Sequence, residues 1–182
     1  MAWSTTGLAT NMAGYNHENR LTTGQTRIIV DSMLGKLCRW LRLYGYDSLY
    51  AKELGRDDDD YIIQKAVQEH RIIITRDENL CREAKKSGVP SICLRANTIQ
   101  SQLLELRAHL HLPELRPENA RCPMCNGRIE AVTKEEVRGN VPPKVLAHQK
   151  EFWQCTRCGQ TYWKGSHWEN IMRIAPKTFV GE

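Results

Sequence analysis

Two short runs of β-branched residues, each followed by an aspartate, restrict the fold of this chain more than any other feature. Residues 27–31 read RIIVD and residues 71–77 read RIIITRD. Isoleucine and valine bounded by charged residues are typical of strands buried in a parallel sheet. The carboxyl ends of such strands meet at one edge of an open α/β sheet, where these folds bind ligands. We therefore predict that Asp31 and Asp77 lie together at that edge.

A run of four aspartates at residues 57–60 separates the two strands and precedes a helical pattern. One of them is expected to cap the helix, and others favour the positive end of its dipole. Four adjacent carboxylates also repel one another, and a nearby cation would relieve that repulsion. We predict that one aspartate of this run joins Asp31 and Asp77 in holding Mg²⁺ or Mn²⁺ for phosphodiester hydrolysis.

The segment after Asp31 predicts an amphipathic helix that ends at Gly45. Its apolar residues follow the i, i+3, i+4, i+7 rule and form one stripe: Leu34, Leu37, Cys38 and Leu41. Lys36, Arg39 and Arg42 are three residues apart and are assigned to another face. Such a basic face could follow a phosphate backbone, or it could be an ordinary solvated surface.

The pattern beyond this helix alternates strands and helices, as in β-α-β units. Candidate strands cover residues 47–51 and 89–94, and candidate helices cover residues 61–70, 78–88 and 99–110. Asn97 and Gln100 are placed to form a capping box for the last of these helices. Cys38, Cys81 and Cys93 fall at apolar positions, and we interpret them as packed thiols rather than metal ligands.

The tail contains two CxxC pairs, each followed by turn residues. Cys122 and Cys125 form CPMC, and Cys155 and Cys158 form CTRC. Two such turns bring four thiolates to one ion and predict a closed, tetrahedral structural zinc site. A redox role for one pair is the alternative, but the second pair argues against it. His148 or His167 could replace a cysteine ligand.

The second CxxC pair is followed by interleaved aromatic and basic residues: Tyr162, Trp163, Lys164, His167 and Trp168. They could stack on bases and contact phosphates, or the two tryptophans could pack the tail onto the first domain. The net charge is +5, and residues 115–182 carry 11 basic against 7 acidic residues. That excess suits an anionic partner but is also common on solvated surfaces.

These motifs together resemble the PIN-like ribonuclease family named for the C-terminal domain of the Mut-seven exonuclease. The likeness runs from about residue 27 to 172 and includes MLGKLCRWLRLYGYD, RIIITRD, CPMC, CTRCG and YWKGSHW. It implies a PIN-like α/β/α sandwich with a parallel sheet, followed by a small C-terminal zinc ribbon. It also implies a metal-dependent ribonuclease, with RNA as its partner.

The resemblance assigns roles to individual positions of this sequence. Asp31, Asp59 and Asp77 match the family's acids, although Asp58 or Asp60 could replace Asp59. Related proteins often carry an acid two residues beyond Asp77, whereas this chain has Asn79. RNA phosphates are expected to contact four basic residues: Lys36, Arg39, Arg42 and Arg76.

The expected organisation has three parts: a flexible extension at residues 1–26, a nuclease domain at 27–114 and a zinc ribbon at 115–182. No apolar run is long enough to span a membrane, and no signal peptide is evident, so a cytoplasmic location is expected. The alternative function is a non-catalytic RNA- or ribosome-binding adaptor that keeps the fold. A phosphatase of small phosphate esters is a third hypothesis.

Overall fold

The structure is a computed structural model that describes residues 20–176. Most of the predicted flexible extension, residues 1–19, lies outside the described residues. Residues 20–26, however, contact the first domain. The backbone N–H of Leu21 donates to the His109 carbonyl at 3.1 Å, and the Tyr46 hydroxyl donates to the Leu21 carbonyl at 2.8 Å. Leu21, near the end of the predicted extension, is therefore held against the first domain.

A four-stranded parallel sheet forms the centre of the first domain. Its strands are β1 (Arg27–Val30), β2 (Asp47–Tyr50), β3 (Ile72–Thr75) and β4 (Ser91–Cys93), in the spatial order β2-β1-β3-β4. β1 pairs with β2 and β3, and β3 pairs with β4, all parallel. This confirms the predicted α/β class and makes the two isoleucine-rich strands direct neighbours.

Helices cover both faces of this sheet. They are α1 (Gly35–Leu43), α2 (Asp59–Glu69), α3 (Glu78–Lys86) and α4 (Ile99–Leu106), with short 3₁₀ turns at Ser32–Leu34 and Ala51–Leu54. Side chains alternate between the two faces along a strand. Ile28 and Ile74 accordingly pack in one core cluster with residues of α1 and α4. Ile29 and Ile73 pack in a second cluster with residues of α2 and α3.

Side chains that accept hydrogen bonds from free N–H groups fix where three helices begin. Asp58 caps α2 by accepting from the Tyr61 N–H at 3.1 Å. Asp77 caps α3 and accepts from the Asn79 N–H at 2.7 Å. Thr98 caps α4 and accepts from the Ser101 N–H at 3.2 Å. The capping box predicted for Asn97 and Gln100 is wrong, because the helix begins one residue after Thr98.

The tail forms a smaller antiparallel sheet of β5 (Ile129–Val132), β6 (Phe152–Cys155) and β7 (Thr161–Tyr162), in that order. A 3₁₀ turn at Pro117–Asn119 precedes it, α5 (Pro143–His148) lies between β5 and β6, and α6 (Ser166–Ile174) follows β7. Trp168 and Ile171 of α6 pack against the α1/α4 core of the first domain. The tail therefore contacts the first domain through α6, the helix that follows its sheet.

The first CxxC turn of the tail attaches to the edge strand β2 through Asn126. The Ser48 N–H donates to the Asn126 amide oxygen at 3.1 Å, and the Asn126 amide nitrogen donates to the Asp47 carboxylate at 2.8 Å. Asn126 adopts a positive φ of 65°, a conformation that asparagine tolerates better than most residues. Asn126 therefore forms hydrogen bonds with the outer edge of β2 and holds the tail against that strand.

Arg42 is buried in this same interface, which corrects its assignment to the exposed basic face. Its side chain is 1% exposed and pairs with Glu53 at 2.7 Å. Its guanidinium also donates to the Ser48 carbonyl at 2.9 Å and to the Pro123 carbonyl at 2.9 Å. With every direction filled by protein groups, Arg42 joins β2 to the tail and has no free face for an RNA phosphate.

We expect Arg42→Ala to lower the free energy of unfolding by about 2–4 kcal/mol, because it leaves buried carbonyl groups unsatisfied. Urea unfolding followed by circular dichroism measures this change. Arg39→Ala removes the same charge from an exposed position one turn earlier and should cost less than about 0.5 kcal/mol. Equal costs for the two variants would refute the structural role of Arg42.

Of the three cysteines outside the tail, one is a free thiol and two form a disulfide. Cys38 is a buried free thiol, as predicted, and burial raises its pKa to about 12. Cys81 and Cys93 instead form a disulfide between α3 and β4, so their interpretation as packed thiols is wrong. Ile92 and Leu94 face the α1/α4 core, and strand alternation therefore turns Cys93 toward the face that α3 covers.

Candidate functional site

Asp31 follows β1 directly and lies at the carboxyl edge of the sheet. Its backbone N–H donates to the Ile74 carbonyl at 3.0 Å, which continues the β1–β3 ladder by one residue. The residue is only 8% exposed, and its carboxylate makes no capping bond to the 3₁₀ turn that it precedes. It accepts instead from the Thr75 hydroxyl at 2.6 Å. Asp31 is thus a buried carboxylate held in one orientation.

The same hydroxyl connects Asp31 to Asp77. Thr75 is fully buried at the end of β3, and its Oγ1 atom accepts from the Asp77 N–H at 2.9 Å. One side chain therefore fixes both the Asp31 carboxylate and the backbone from which Asp77 projects. Sequence reasoning missed Thr75, although a hydroxyl residue that ends an isoleucine run was a visible signal.

The members of the aspartate run have different environments. Asp57 accepts from the Ser32 hydroxyl at 2.8 Å. Asp58 is the N-cap of α2 and pairs with Arg56 at 3.0 Å. Asp59 is the first residue of α2, and Asp60 is exposed. Asp58 therefore caps the helix, and the Asp59 carboxylate is not needed for that hydrogen bond.

The pKa of Asp59 is raised above its ordinary value, first by partial burial and then by the charges of Asp77 and Asp31. Asp31 follows β1 and Asp77 follows β3, and the charge of each raises the pKa of Asp59. The negative charges of Asp31 and Asp77 therefore disfavour the ionised form of Asp59. Within residues 20–176, however, only the four tail cysteines bring three or more ligand atoms within 4.8 Å of one another. The carboxylates are spaced more widely than that.

We expect Asp59→Asn to raise the melting temperature at pH 7 in the absence of added divalent metal. A carboxyl whose folded pKa is raised costs stability while it is ionised, and that cost disappears as the pH falls through the folded pKa. The gain should therefore be present at pH 7 and shrink on acidification towards pH ~4. Differential scanning fluorimetry across this range measures it.

Asp58→Asn is the control variant, and we expect it to change the melting temperature in the opposite direction. The pKa of Asp58 is lowered by the Tyr61 N–H and then by Arg56, so its ionised form favours the folded state. Neutralising it should lower the melting temperature at pH 7 and have little effect under acid conditions. A loss of stability in Asp59→Asn at pH 7 would show that these carboxylates do not repel one another.

Two of the four basic residues predicted to contact RNA are exposed, and a third is half-buried. Lys36 and Arg39 are exposed on α1. Arg76 lies between the Thr75 and Asp77 positions and is half-buried; its guanidinium donates to the Asn97 side chain. The Nε atom of Arg76 is buried and has no hydrogen-bond partner among the described residues. Arg42, the fourth, belongs to the domain interface described above.

The four tail cysteines form a second constellation. Their Sγ atoms all lie within 4.8 Å of one another, with Cys122 and Cys158 at 3.6 Å and Cys125 and Cys155 at 3.5 Å. A tetrahedron with zinc–sulfur bonds of about 2.3 Å has sulfur–sulfur edges of roughly 3.8 Å. The donor set and its spacing fit a zinc ion, and the group contains neither His148 nor His167.

Neighbouring residues orient these sulfur atoms. The Tyr162 hydroxyl lies 3.0 Å from the Cys122 Sγ, and the Arg157 N–H donates to the Cys155 Sγ at 3.4 Å. A Cβ atom at Gly127 would lie 2.8 Å from the same Cys155 sulfur. The turn after Cys125 therefore requires glycine because the sulfur atoms occupy the space of a side chain.

The aromatic residues of the tail partly support the packing interpretation. Trp168 packs against the first domain, and Trp163 packs against a small cluster around Val137 and Phe152. His167 is exposed and Lys164 lies 5.1 Å from the centre of the Trp153 ring. Both tryptophans are only half-buried, so part of each remains accessible.

The described helices are too short and too polar to cross a lipid bilayer.

A protein-family model described as the Mut7-C RNAse domain matches residues 26–175. No curated protein matches the chain. The family match includes the carboxylate edge, α1 and all four tail cysteines, and its description indicates a nuclease function related to RNA. Because the match covers most of the sequence and agrees with the resemblance of its motifs, the chain belongs to the Mut7-C RNAse domain family.

Proposed function

We propose that this chain is a metal-dependent ribonuclease that hydrolyses RNA phosphodiester bonds at Asp31, Asp59 and Asp77. The observation that carries the proposal is the Thr75 hydroxyl, which bonds to the Asp31 carboxylate at 2.6 Å and to the Asp77 backbone at 2.9 Å. A hydrophobic residue at this position would leave the buried Asp31 carboxylate and the Asp77 N–H without this partner, so Thr75 suits a site in which both acids are held in fixed positions.

The donor set fits a hard divalent cation. Asp31, Asp59 and Asp77 supply carboxylate oxygens, and Mg²⁺ or Mn²⁺ binds through few such ligands while keeping several waters. That mode suits carboxylates spaced more widely than the tail thiols. When bound, such an ion lowers the pKa of a coordinated water and stabilises negative charge on the leaving oxygen.

The chain's own groups would hold the RNA backbone across this edge. Arg76 contributes a half-buried guanidinium, and Lys36 and Arg39 contribute exposed charges on α1. α2 and α3 both begin at this edge, with their N-caps at Asp58 and Asp77. The positive ends of two helix dipoles favour a phosphate there, and they partly offset the negative charge of the acids.

The zinc ion is proposed to have a structural role. Four cysteine ligands fill a tetrahedral site and leave no position for a substrate. The turn that carries Cys122 and Cys125 also carries Asn126, which bonds to Ser48 and Asp47 of β2. Zinc would therefore maintain the turn that joins the tail to the first domain.

A non-catalytic RNA- or ribosome-binding adaptor is the rival function. Asn79 occupies the place where related proteins often carry an acid, and Asp58 and Asp77 both act as helix caps. These features would also be present in a chain that kept the fold and lost the reaction. The two functions differ in whether RNA is cut.

The test uses the zinc-loaded chain with labelled structured and unstructured RNA in Mn²⁺, in Mg²⁺ and without either ion. We expect cleavage that depends on the added divalent ion, and no turnover of a chromogenic phosphate ester. RNA binding without cleavage in any ion would establish the adaptor and exclude the nuclease. Turnover of the ester without RNA cleavage would favour the phosphatase hypothesis.

A further inference from the structure

A groove of about 510 Å³ lies between α1, the first CxxC turn and α6. Its walls are rich in aromatic side chains from both parts of the chain: Trp40, Trp153, Tyr162, Trp163 and Trp168. Of these, only Trp153 is buried, and the other four are half-buried. Met124, 56% exposed, and Ile174, 36% exposed, also line it. A cavity of this kind offers flat apolar surfaces to a planar ligand.

The charges around the groove have one sign. Lys36 and Arg39 line it along α1, and His167 lines it from α6. No aspartate or glutamate lines the groove within the described residues 20–176. A neutral apolar peptide would not require this bias, whereas a ligand that combines flat rings with negative charge uses both features of the surface.

The groove also leads towards the carboxylate edge. Its α1 wall starts near Lys36, close to the beginning of that helix, and continues through Arg39 to Leu43 at its end. α1 follows Asp31 after a single 3₁₀ turn, Ser32–Leu34. A strand that lies along α1 with its phosphates on Lys36 and Arg39 would therefore enter the edge where Asp31 is located.

We propose that this groove binds unpaired bases of RNA, and that the preferred substrate is therefore single-stranded. The inference rests on the proposed function for the identity of the nucleic acid. Unpaired bases can leave the backbone and stack on aromatic side chains, whereas the bases of an A-form duplex are already stacked on one another. The half-buried aromatic rings contact bases, and the two α1 cations contact the phosphates that connect them.

The test measures fluorescence anisotropy of a labelled RNA with zinc-loaded Asp31→Asn protein, which keeps the RNA intact. The same oligonucleotide is used as a single strand and as a duplex. We expect the single strand to bind at least ~10-fold more tightly. Trp163→Ala should weaken single-strand binding about 10-fold, as expected for one stacked base, with Trp163→Phe restoring most of the affinity.

A second variant keeps the test valid if Trp163→Ala does not fold. Asn170→Glu places a carboxylate on the exposed wall formed by α6 and should weaken single-strand binding by a similar factor. Lys36→Ala with Arg39→Ala should reduce the salt slope of log K by about 1.4, the value for two phosphates of a single strand. Lys85→Ala with Lys86→Ala removes two exposed charges at the far end of α3 and should leave that slope unchanged.

Equal binding of the single strand and the duplex would overturn the proposal, as would unchanged affinity in Asn170→Glu. The proposal is also overturned if the groove variants alter only self-association on a sizing column, because the groove then binds a second copy of the chain. Cleavage is scored separately with Asp31 intact. Groove-dependent binding without cleavage would keep this inference and reject the nuclease, whereas cleavage without groove dependence would do the reverse.

Discussion

Asp31→Asn should reduce RNA cleavage by at least about 100-fold while leaving the fold intact. Outer-shell partners of a metal typically contribute 10–100-fold to activity, and a direct ligand should contribute at least as much. Asparagine has the same shape as aspartate and can still accept the 2.6 Å bond from the Thr75 hydroxyl. The substitution therefore removes the charge without removing the contact. Initial cleavage rates at saturating Mn²⁺ measure the effect.

Asp60→Asn is the matched control for this experiment. It makes the same change of charge on the exposed residue that follows Asp59, and it should retain most of the activity. Asp59→Asn and Asp77→Asn should resemble Asp31→Asn. Full activity in Asp31→Asn would remove the basis of the proposed mechanism. Loss of activity in Asp60→Asn but not in Asp59→Asn would instead change which member of the run participates.

Cys122→Ser with Cys125→Ser should abolish zinc binding and unfold the tail. Structural zinc contributes about 10–16 kcal/mol in zinc-finger peptides, which exceeds the total stability of many domains, about 5–15 kcal/mol. The small sheet β5-β6-β7 lies around the four cysteines, and its core cluster includes Cys122 and Cys155. We therefore expect zinc content to fall from about one ion per chain to none, and the tail to become susceptible to proteolysis.

Cys38→Ala is the control for the zinc experiment. Cys38 is a buried free thiol in the first domain, so its removal should leave about one zinc per chain. Atomic absorption of freshly purified protein gives the content, and limited proteolysis reports the tail. A double serine variant that resists protease as well as the parent chain would mean that the ribbon folds without its metal.

The main features of the fold could be predicted from local sequence because the elements are strongly patterned. The isoleucine runs before Asp31 and after Arg71 predicted two buried parallel strands, and the structure pairs β1 with β3 in that orientation. The spacing of the two CxxC pairs likewise predicted the group of four thiols. These signals are reliable because a run of β-branched residues favours a strand, and a CxxC turn presents two thiolates to one ion, within a few residues of sequence.

The error at Arg42 has a physical explanation that the sequence already contained. Positions three apart on a helix drift by about 60° at each step, so Arg42 does not share a face with Lys36. It lies four residues after Cys38 and therefore beside the buried stripe. What the sequence could not provide was its partners, because Glu53 and the Pro123 carbonyl come from a 3₁₀ turn and from the tail.

Other features depend on tertiary placement and were therefore not predictable. The Cys81–Cys93 disulfide requires α3 to cover one particular face of β4. The bonds from Asn126 to β2 require the zinc turn to lie beside a strand almost 80 residues earlier. The aromatic groove likewise forms only when α1 and α6 come together.

Calorimetric titration of the zinc-loaded chain with Mn²⁺ shows, without any RNA, whether Asp31, Asp59 and Asp77 hold a divalent cation. We expect saturable binding that Asp31→Asn and Asp77→Asn each abolish and that Asp60→Asn retains. Binding that is absent in the parent chain, or unchanged when Asp31 and Asp77 are neutralised, would contradict this expectation.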